Sequence, residues 1–262
     1  MGYSSVGAQD HLQVFLYHQV LPDEESGDKF SVSLSLFRQQ ICRMRQSAMP
    51  FFLLRELVER RENHLSGIVL SFDDGCEAEY KFALPVLQAN ELRAEFYIST
   101  ANVGKTGFLN WSQLAEMHAA GMSIQSHSHE HVPLTLLTDT ELRNQLAISK
   151  RTIEDRLGCS VDVIACPYGF FNRRVIDQSR EVGYKALCTS RTGIFFPGSF
   201  EVNRIPIYRD TSVKQLGWLL EGNRWVYAHR TLRDFASNPA KQLLLRWYPK
   251  LLGVQQLLRG TT

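Results

Sequence analysis

Short apolar segments alternate with segments of helical periodicity along most of this 262-residue chain. The predicted strands are 14–17, 68–70, 94–98, 122–124, 161–165, 184–187 and 205–207. The predicted helices are 35–45, 53–61, 77–89, 111–119, 138–157, 173–183 and 212–221. Because successive parallel strands need a crossover connection, usually a helix, this order predicts a parallel sheet covered by helices. A hydrophobic content of 44% suits one barrel-sized domain.

Polar side chains follow two of these strands. Asp73 and Asp74 come directly after 68–70, and His127 and His131 follow 122–124. An extended strand would hold the two histidines roughly 13 Å apart, whereas a helical turn would bring them within about 6 Å. Two imidazoles and the Asp74 carboxylate then make three metal ligands with a position left for water. The alternatives are a helix N-cap at Asp74 and a histidine-rich surface turn.

Three motifs in this order resemble the polysaccharide deacetylases with a NodB-homology domain, carbohydrate esterase family four. They are Ser71-Phe72-Asp73-Asp74-Gly75, His127-Ser128-His129-Glu130-His131 and Pro167-Tyr168-Gly169. The resemblance covers roughly residues 12 to 208. It implies a distorted (β/α)7 barrel of the NodB-homology type, with the site at the carboxyl ends of the strands.

The resemblance also implies a role for each site residue. Asp74, His127 and His131 bind one divalent metal ion, most often Zn²⁺, and Asp73 is the general base that deprotonates the attacking water. The backbone N–H of Tyr168 points at the oxyanion, although Pro-Tyr-Gly is also an ordinary turn. His18, at the end of the first strand, is a candidate to protonate the leaving amine or to bind substrate; a buried core histidine is the alternative.

The chain departs from the family pattern at two places. Ala165 and Cys166 stand where many members carry an arginine before Pro-Tyr-Gly, and we hypothesise that Arg204 replaces it. The late general-acid histidine has no clear match, because His229 lies in a basic region and fits poorly. His129 is expected to point away from the two predicted ligands.

The predicted activity is removal of acetyl groups from N-acetylated sugars of a polysaccharide or a lipid-linked glycan precursor. The Tyr17-His18 pair and the Ala-Cys-Pro-Tyr-Gly form resemble the exopolysaccharide-type subgroup. A deformylase or an O-deacetylase could use the same metal site. A non-catalytic carbohydrate-binding relic is the alternative from a different class, because the arginine and the late histidine are missing.

Residues 1–211 are the predicted catalytic domain, and 212–262 form a basic, apolar C-terminal helical extension. Residues 213–262 hold eight Lys or Arg and two Asp or Glu. Bulky apolar residues mixed with cations at 241–259 predict peripheral contact with a membrane. A packed helix and a dimer contact are the alternatives.

A net charge of +2 indicates no nucleic-acid partner. Five cysteines without C-x-x-C spacing and a polar start favour the cytoplasm. The oligomeric state stays open.

Overall fold

The computed structural model describes residues 12–25, 27–60 and 65–236, with side chains up to residue 232. The strands are β1 (Leu12–Tyr17), β2 (Gln19–Leu21), β3 (Ser31–Ser33), β4 (Gly67–Phe72), β5 (Glu95–Ile98), β6 (Ser123–Ser126), β7 (Val163–Ala165), β8 (Ala186–Cys188), β9 (Glu201–Val202) and β10 (Ile205–Pro206). The α-helices are α1 (Leu34–Gln46), α2 (Leu84–Ala89), α3 (Trp111–Ala119), α4 (Asp139–Leu157), α5 (Arg173–Val182), α6 (Val213–Leu220) and α7 (Arg224–Ala236).

The main sheet is parallel throughout, in the order β10-β1-β4-β5-β6-β7-β8-β9. Only Asn203 and Arg204 separate β9 from β10. β9 pairs with β8 and β10 pairs with β1, so one extended segment, 201–206, joins the two edges of the sheet. The result is a distorted (β/α)7 barrel with a broken last strand, and the predicted fold class is confirmed.

Two apolar layers follow from the alternation of side chains along the strands. One cluster contains Val14 and Val69 and fills the barrel, whereas the other contains Phe15, Ile68 and Leu70 and packs under the helices. Asp73 lies four residues after Val69, and an even spacing along a strand puts both side chains on the same face. Its side chain therefore continues the inward-facing row at the carboxyl end of β4.

Two local predictions were wrong. The described part of the predicted helix at 53–61 contains only a 3₁₀ turn, Leu54–Glu56, because residues 50–52, directly before it, bond beside β4 and this segment inserts Leu54 and Leu57 into the barrel. The helix predicted at 77–89 is divided into a π-helical segment, Glu79–Ala83, and α2, since Pro85 has no N–H to donate. β2 and β3, which no sequence pattern predicted, pair with each other.

The described part of the C-terminal extension packs on the barrel beside β1 and β10. Leu216 and Leu219 on α6 are buried. Gln13 Nε2 donates to the Tyr227 hydroxyl at 2.8 Å, and Arg230 Nη1 donates to the Pro206 carbonyl at 2.6 Å. The domain boundary at 211/212 stays a prediction, and residues 241–259 lie outside the described residues. Over the described ranges, none of the helices is both long and apolar enough to cross a bilayer.

The Glu95 carboxyl is fully buried at the start of β5, at the end of the barrel opposite Asp73 and Asp74. Its Oε1 accepts from the Arg55 N–H at 3.1 Å. Burial raises the pKa of Glu95 from 4.5 to about 7. A carboxyl whose pKa is higher in the folded state than in the unfolded state destabilises the fold as pH rises through that interval. The 2.5-unit difference corresponds to about 3 kcal/mol at full ionisation.

Glu95→Gln should therefore raise the free energy of unfolding by up to about 3 kcal/mol at about pH 8 and change it little at about pH 4.5, where both states hold the proton. Urea unfolding at the two pH values measures this difference. Glu91→Gln, on the surface, is the matched control and should have little effect at either pH. If Glu95→Gln raised the free energy of unfolding equally at both pH values, the cause would be packing rather than ionisation.

Candidate active site

Three predicted ligands meet at the carboxyl end of the barrel. Asp74 follows β4, and His127 and His131 follow β6. Asp74 Oδ1 lies 3.3 Å from His127 Nε2 and 3.1 Å from His131 Nε2. One ligand atom from each residue lies within 4.8 Å of the other two. β4 and β6, which β5 separates in the sheet, thus bring Asp74 to two histidines more than fifty positions later in the sequence.

The donor set fits a divalent cation. His127 Nδ1 lies 2.9 Å from the Ala165 carbonyl oxygen, and an Nδ1–H bond to that carbonyl leaves Nε2 directed at Asp74. Such a bond to the second ring nitrogen is what orients metal-ligating histidines. Zinc–ligand bonds of about 2.0–2.2 Å at tetrahedral angles separate ligand atoms by roughly 3.3 Å. The observed nitrogen–oxygen distances match that spacing.

The cluster is built on left-handed backbone. Asp74, Ser128, His131 and Tyr168 have φ values of 82°, 65°, 56° and 60°. The prediction of a helical turn over 127–131 is therefore wrong, although the two rings do converge, with centroids 4.9 Å apart. Non-glycine residues in this region cost free energy and collect at functional sites, where surrounding contacts hold them.

Asp73 is paired with Arg204 inside the barrel. Arg204 Nη1 and Nη2 donate to Asp73 Oδ1 and Oδ2 at 2.7 Å each, and the two side chains are 0% and 4% exposed. Arg204 Nε also donates to the Thr189 carbonyl at 2.9 Å, and the guanidinium lies 5.3 Å from the Tyr97 ring centroid. Burial raises the pKa of Asp73, but the charges of Arg204 and His127 and the Arg204 hydrogen bonds together outweigh it, so the pKa is lower than usual.

The groups around Asp74 also lower the pKa of its carboxyl, as those around Asp73 do. Burial raises the pKa of the Asp74 carboxyl, but hydrogen bonds from His127 and His131 outweigh it and hold that pKa well below its usual range. Both neighbouring carboxylates are consequently ionised at neutral pH. One faces the two imidazoles and the other faces Arg204, so the two carboxylates have different partners and can perform different tasks.

His18 borders the same cavity. Its ring packs on Phe30 with centroids 4.6 Å apart, and Phe30 in turn lies 5.6 Å from Tyr208. His18 Nδ1 is buried and has no hydrogen-bond partner among the described residues. Burial lowers the pKa of His18 more than the Asp73 and Asp74 charges raise it. The neutral imidazole is thus favoured in a residue that borders the cavity.

The cavity encloses about 340 Å³, a volume suited to a small polar ligand. The predicted site residues on its wall are His18, Asp73, Asp74, His127, His131 and Tyr168. The Tyr168 ring lies 4.8 Å from that of His131. His129 bonds Thr100 instead, at 2.8 Å, and His229 lies exposed on α7, so neither joins the site. Phe30 and Tyr208 also line the cavity, but no motif in the sequence marks them.

A family model described as polysaccharide deacetylase matches residues 60–187. This span contains Asp73, the three clustered ligands and Tyr168. Residues 60–187 therefore carry a polysaccharide deacetylase domain. His18 and Arg204 lie outside the matched span, so their assignment depends on the geometry of this chain. The predicted family and its exopolysaccharide-type subgroup are confirmed.

Relatives of this deacetylase chain agree with the match. YxkH of Bacillus subtilis (strain 168), named as a polysaccharide deacetylase, is 23% identical over 216 residues, covering 80% of this chain and 76% of YxkH. The poly-beta-1,6-N-acetyl-D-glucosamine N-deacetylase of Staphylococcus aureus (strain MSSA476) is 24% identical over 202 residues, covering 71% and 69%. The structure of IcaB from Ammonifex degensii superposes with a TM-score of 0.74 at 27% identity, covering 81% and 97%.

Proposed function

We propose that this chain is a metal-dependent hydrolase that removes acetyl groups from the N-acetylated sugars of a polysaccharide. The observation that carries the proposal is the convergence of Asp74, His127 and His131 on one point of the cavity wall, beside the Asp73 carboxylate. The name of the Staphylococcus aureus relative supports an N-acetylglucosamine polymer as substrate. A lipid-linked precursor of such a polymer presents the same acetamido group and is included in the proposal.

Asp74, His127 and His131 would hold the cation, and zinc suits two imidazoles and one carboxylate. A divalent cation there supplies a Lewis acid that polarises the acetyl carbonyl and lowers the pKa of water. Asp73 accepts the proton of the attacking water as general base. Its bidentate contact with Arg204 fixes the carboxylate and keeps it ionised before the reaction.

Tyr168 and His18 contribute from opposite sides of the cavity. The left-handed Tyr168 places its backbone at the turn beside His131, where its N–H donates to the oxyanion of the tetrahedral intermediate. The leaving nitrogen needs a proton, and Asp73 carries one after the attack. Because burial favours neutral His18, we assign this ring first to a hydrogen bond with substrate, and to donation only after it has gained a proton.

Each alternative function predicts a different experimental result. A deformylase would release formate and an O-deacetylase would cleave acetyl esters, both with the same metal site. The non-catalytic relic was suggested by the missing arginine before Pro-Tyr-Gly. Arg204 weakens that reading, since it occupies both oxygens of Asp73 from another strand.

Acetate release from oligomers of β-1,6-N-acetyl-D-glucosamine tests the proposal. The zinc-loaded protein should release acetate and leave free amines on the oligomer. A chelator should lower the rate of acetate release at least about 100-fold, because the site then lacks its Lewis acid, and added zinc should restore that rate. Enzymatic assays for acetate and for formate distinguish the acyl group. Stoichiometric metal binding without release of either acid would favour the relic and contradict the proposal.

We also propose that this enzyme works at the cytoplasmic face of a membrane, with the C-terminal extension as the contact. On α7, Trp225 and Leu232 are 86% and 72% exposed and lie seven residues apart on one face. Residues 213–262 carry a charge of +6, from eight basic and two acidic residues. Exposed apolar side chains combined with cations suit an anionic lipid surface.

Flotation with liposomes containing anionic lipid should separate the full chain from one ending at Asn238. The full chain should float at low salt and be released at high salt, because charge attraction is screened. The shortened chain retains α7 and is expected to float less. Equal flotation of the two chains would reject a role for residues 239–262.

A further inference from the structure

The segment carrying His127 and His131 is held from outside the cavity by α4. Gln145 on this helix is only 8% exposed and is not part of the cavity wall. Its Oε1 accepts from the backbone N–H of Glu130 at 2.8 Å, and its Nε2 donates to Glu130 Oε2 at 2.8 Å. One side-chain amide therefore fixes both the backbone and the side chain of the residue directly before His131.

The rest of the segment is bound through its neighbours. Ser149, one turn further along α4, lies 2.8 Å from Ser126 through the two hydroxyls, and Ser126 Oγ accepts from the Ser128 N–H. On the opposite side, the Ala101 N–H donates to the His129 carbonyl at 2.9 Å. Within residues 127–131, the Gln145 amide thus makes the side-chain hydrogen bonds to α4 that the described structure contains, both at Glu130.

The backbone next to this contact is in a conformation that needs support. His131 has φ 56°, a left-handed value that side-chain-bearing residues adopt at a cost. Gln145 binds both Glu130 Oε2 and the Glu130 N–H, so the His129–Glu130 peptide and the Glu130 side chain are both held directly before His131. Without that contact, the segment could relax and the His131 ring would move away from Asp74, which is now 3.1 Å from it.

We propose that Gln145 is a positioning residue of the metal site, whose amide holds Glu130 and thereby pre-sets His131 against His127 and Asp74. The inference rests on the proposed metal-dependent function and extends it to a helix that does not touch substrate. Partners that orient metal ligands without binding the metal typically contribute about 10- to 100-fold to metal affinity.

The test is zinc affinity, measured by competition with a chromophoric chelator, so it does not depend on turnover. Gln145→Leu removes both bonds at similar size and should weaken zinc binding about 10- to 100-fold. Glu154→Leu is the matched control, because Glu154 also lies on α4 and accepts from a backbone N–H, that of Val161 at 3.1 Å, away from the ligands. It should leave zinc affinity unchanged.

A rescue pair separates positioning from general damage to α4. Gln145→Glu places two carboxylates together and should weaken zinc binding. Adding Glu130→Gln restores the side-chain hydrogen bond with donor and acceptor exchanged, while the backbone N–H of residue 130 still donates to residue 145, and should recover the affinity. This pair decides the question even if Gln145→Leu does not fold.

Unchanged affinity in Gln145→Leu, equal losses in Gln145→Leu and Glu154→Leu, or no recovery in the double variant would each overturn the inference. Those outcomes leave the proposed function standing if the wild-type chain binds zinc and releases acetate. A wild-type chain that binds no zinc would overturn the proposed function, and this inference with it.

Discussion

Asp73→Asn should lower kcat for acetate release by about 10²- to 10⁴-fold, the range contributed by a positioned general base. The amide cannot accept the proton of the attacking water, yet it occupies nearly the same volume. KM should change little, because Asp73 does not hold the sugar in this mechanism. Steady-state kinetics of acetate release, with each protein loaded to one equivalent of zinc, measure both constants.

The control for this variant is Asp28→Asn. Asp28 lines the same cavity, and its Oδ1 accepts from the Phe30 N–H at 2.8 Å, a contact that an asparagine oxygen can keep. Its kcat should stay within about threefold of the wild type if the effect at Asp73 is one of base catalysis rather than cavity charge. A comparable kcat in Asp73→Asn and the wild type would remove Asp73 from the mechanism.

The sequence was sufficient to predict the barrel and the ligand cluster for a specific reason. Both depend on local patterns repeated along the chain, strands followed by helices and polar residues at strand ends. In a parallel barrel, all the carboxyl ends meet on one face, so Asp74 and the two histidines had to approach each other. Their final spacing could not be predicted, because it depends on left-handed residues such as Ser128 and His131 rather than on a helical turn.

The other features that the sequence did not predict depend on contacts between distant segments. Gln145 reads as an ordinary helix residue, and its partner Glu130 is fifteen positions away. Phe30 directly follows a polar stretch, 22–29, and only the pairing of β2 with β3 brings it to His18. Contacts of this kind depend on how the barrel closes. No local sequence pattern in these segments predicts them.

The sequence suggested Arg204 as the replacement for the missing arginine, but no local pattern could predict how it reaches Asp73. The residue stands at the break between β9 and β10, where one segment leaves β8 and joins β1. At that break its side chain enters the barrel and meets Asp73, which arrives from β4, 131 positions away in the sequence. A sequence comparison that looks for arginine before Pro-Tyr-Gly finds Ala165 and Cys166 there, although the charge is supplied from the other edge of the sheet.

Arg204→Met should lower both stability and activity. It leaves the Asp73 carboxylate buried without its partner, a change that costs about 3–5 kcal/mol when one member of a buried pair is removed. Burial then raises the pKa of Asp73 unopposed by the guanidinium. The base is protonated at higher pH than in the wild type, so the acidic limb of the kcat profile should move to higher pH. Urea unfolding and pH–rate profiles measure the two effects.

A double variant separates the two roles of the pair. Replacing both members with apolar residues, Asp73→Leu with Arg204→Met, removes the unpaired charge and should recover most of the lost stability, because such exchanges are often neutral or stabilising. Activity should not return, since no base remains beside the cluster. If Arg204→Met kept full turnover with an unshifted profile, Arg204 would serve the fold alone and Asp73 would need another group to orient it. The pair therefore links barrel closure to catalysis: the segment that joins the sheet edges also supplies the charge that keeps the base ionised.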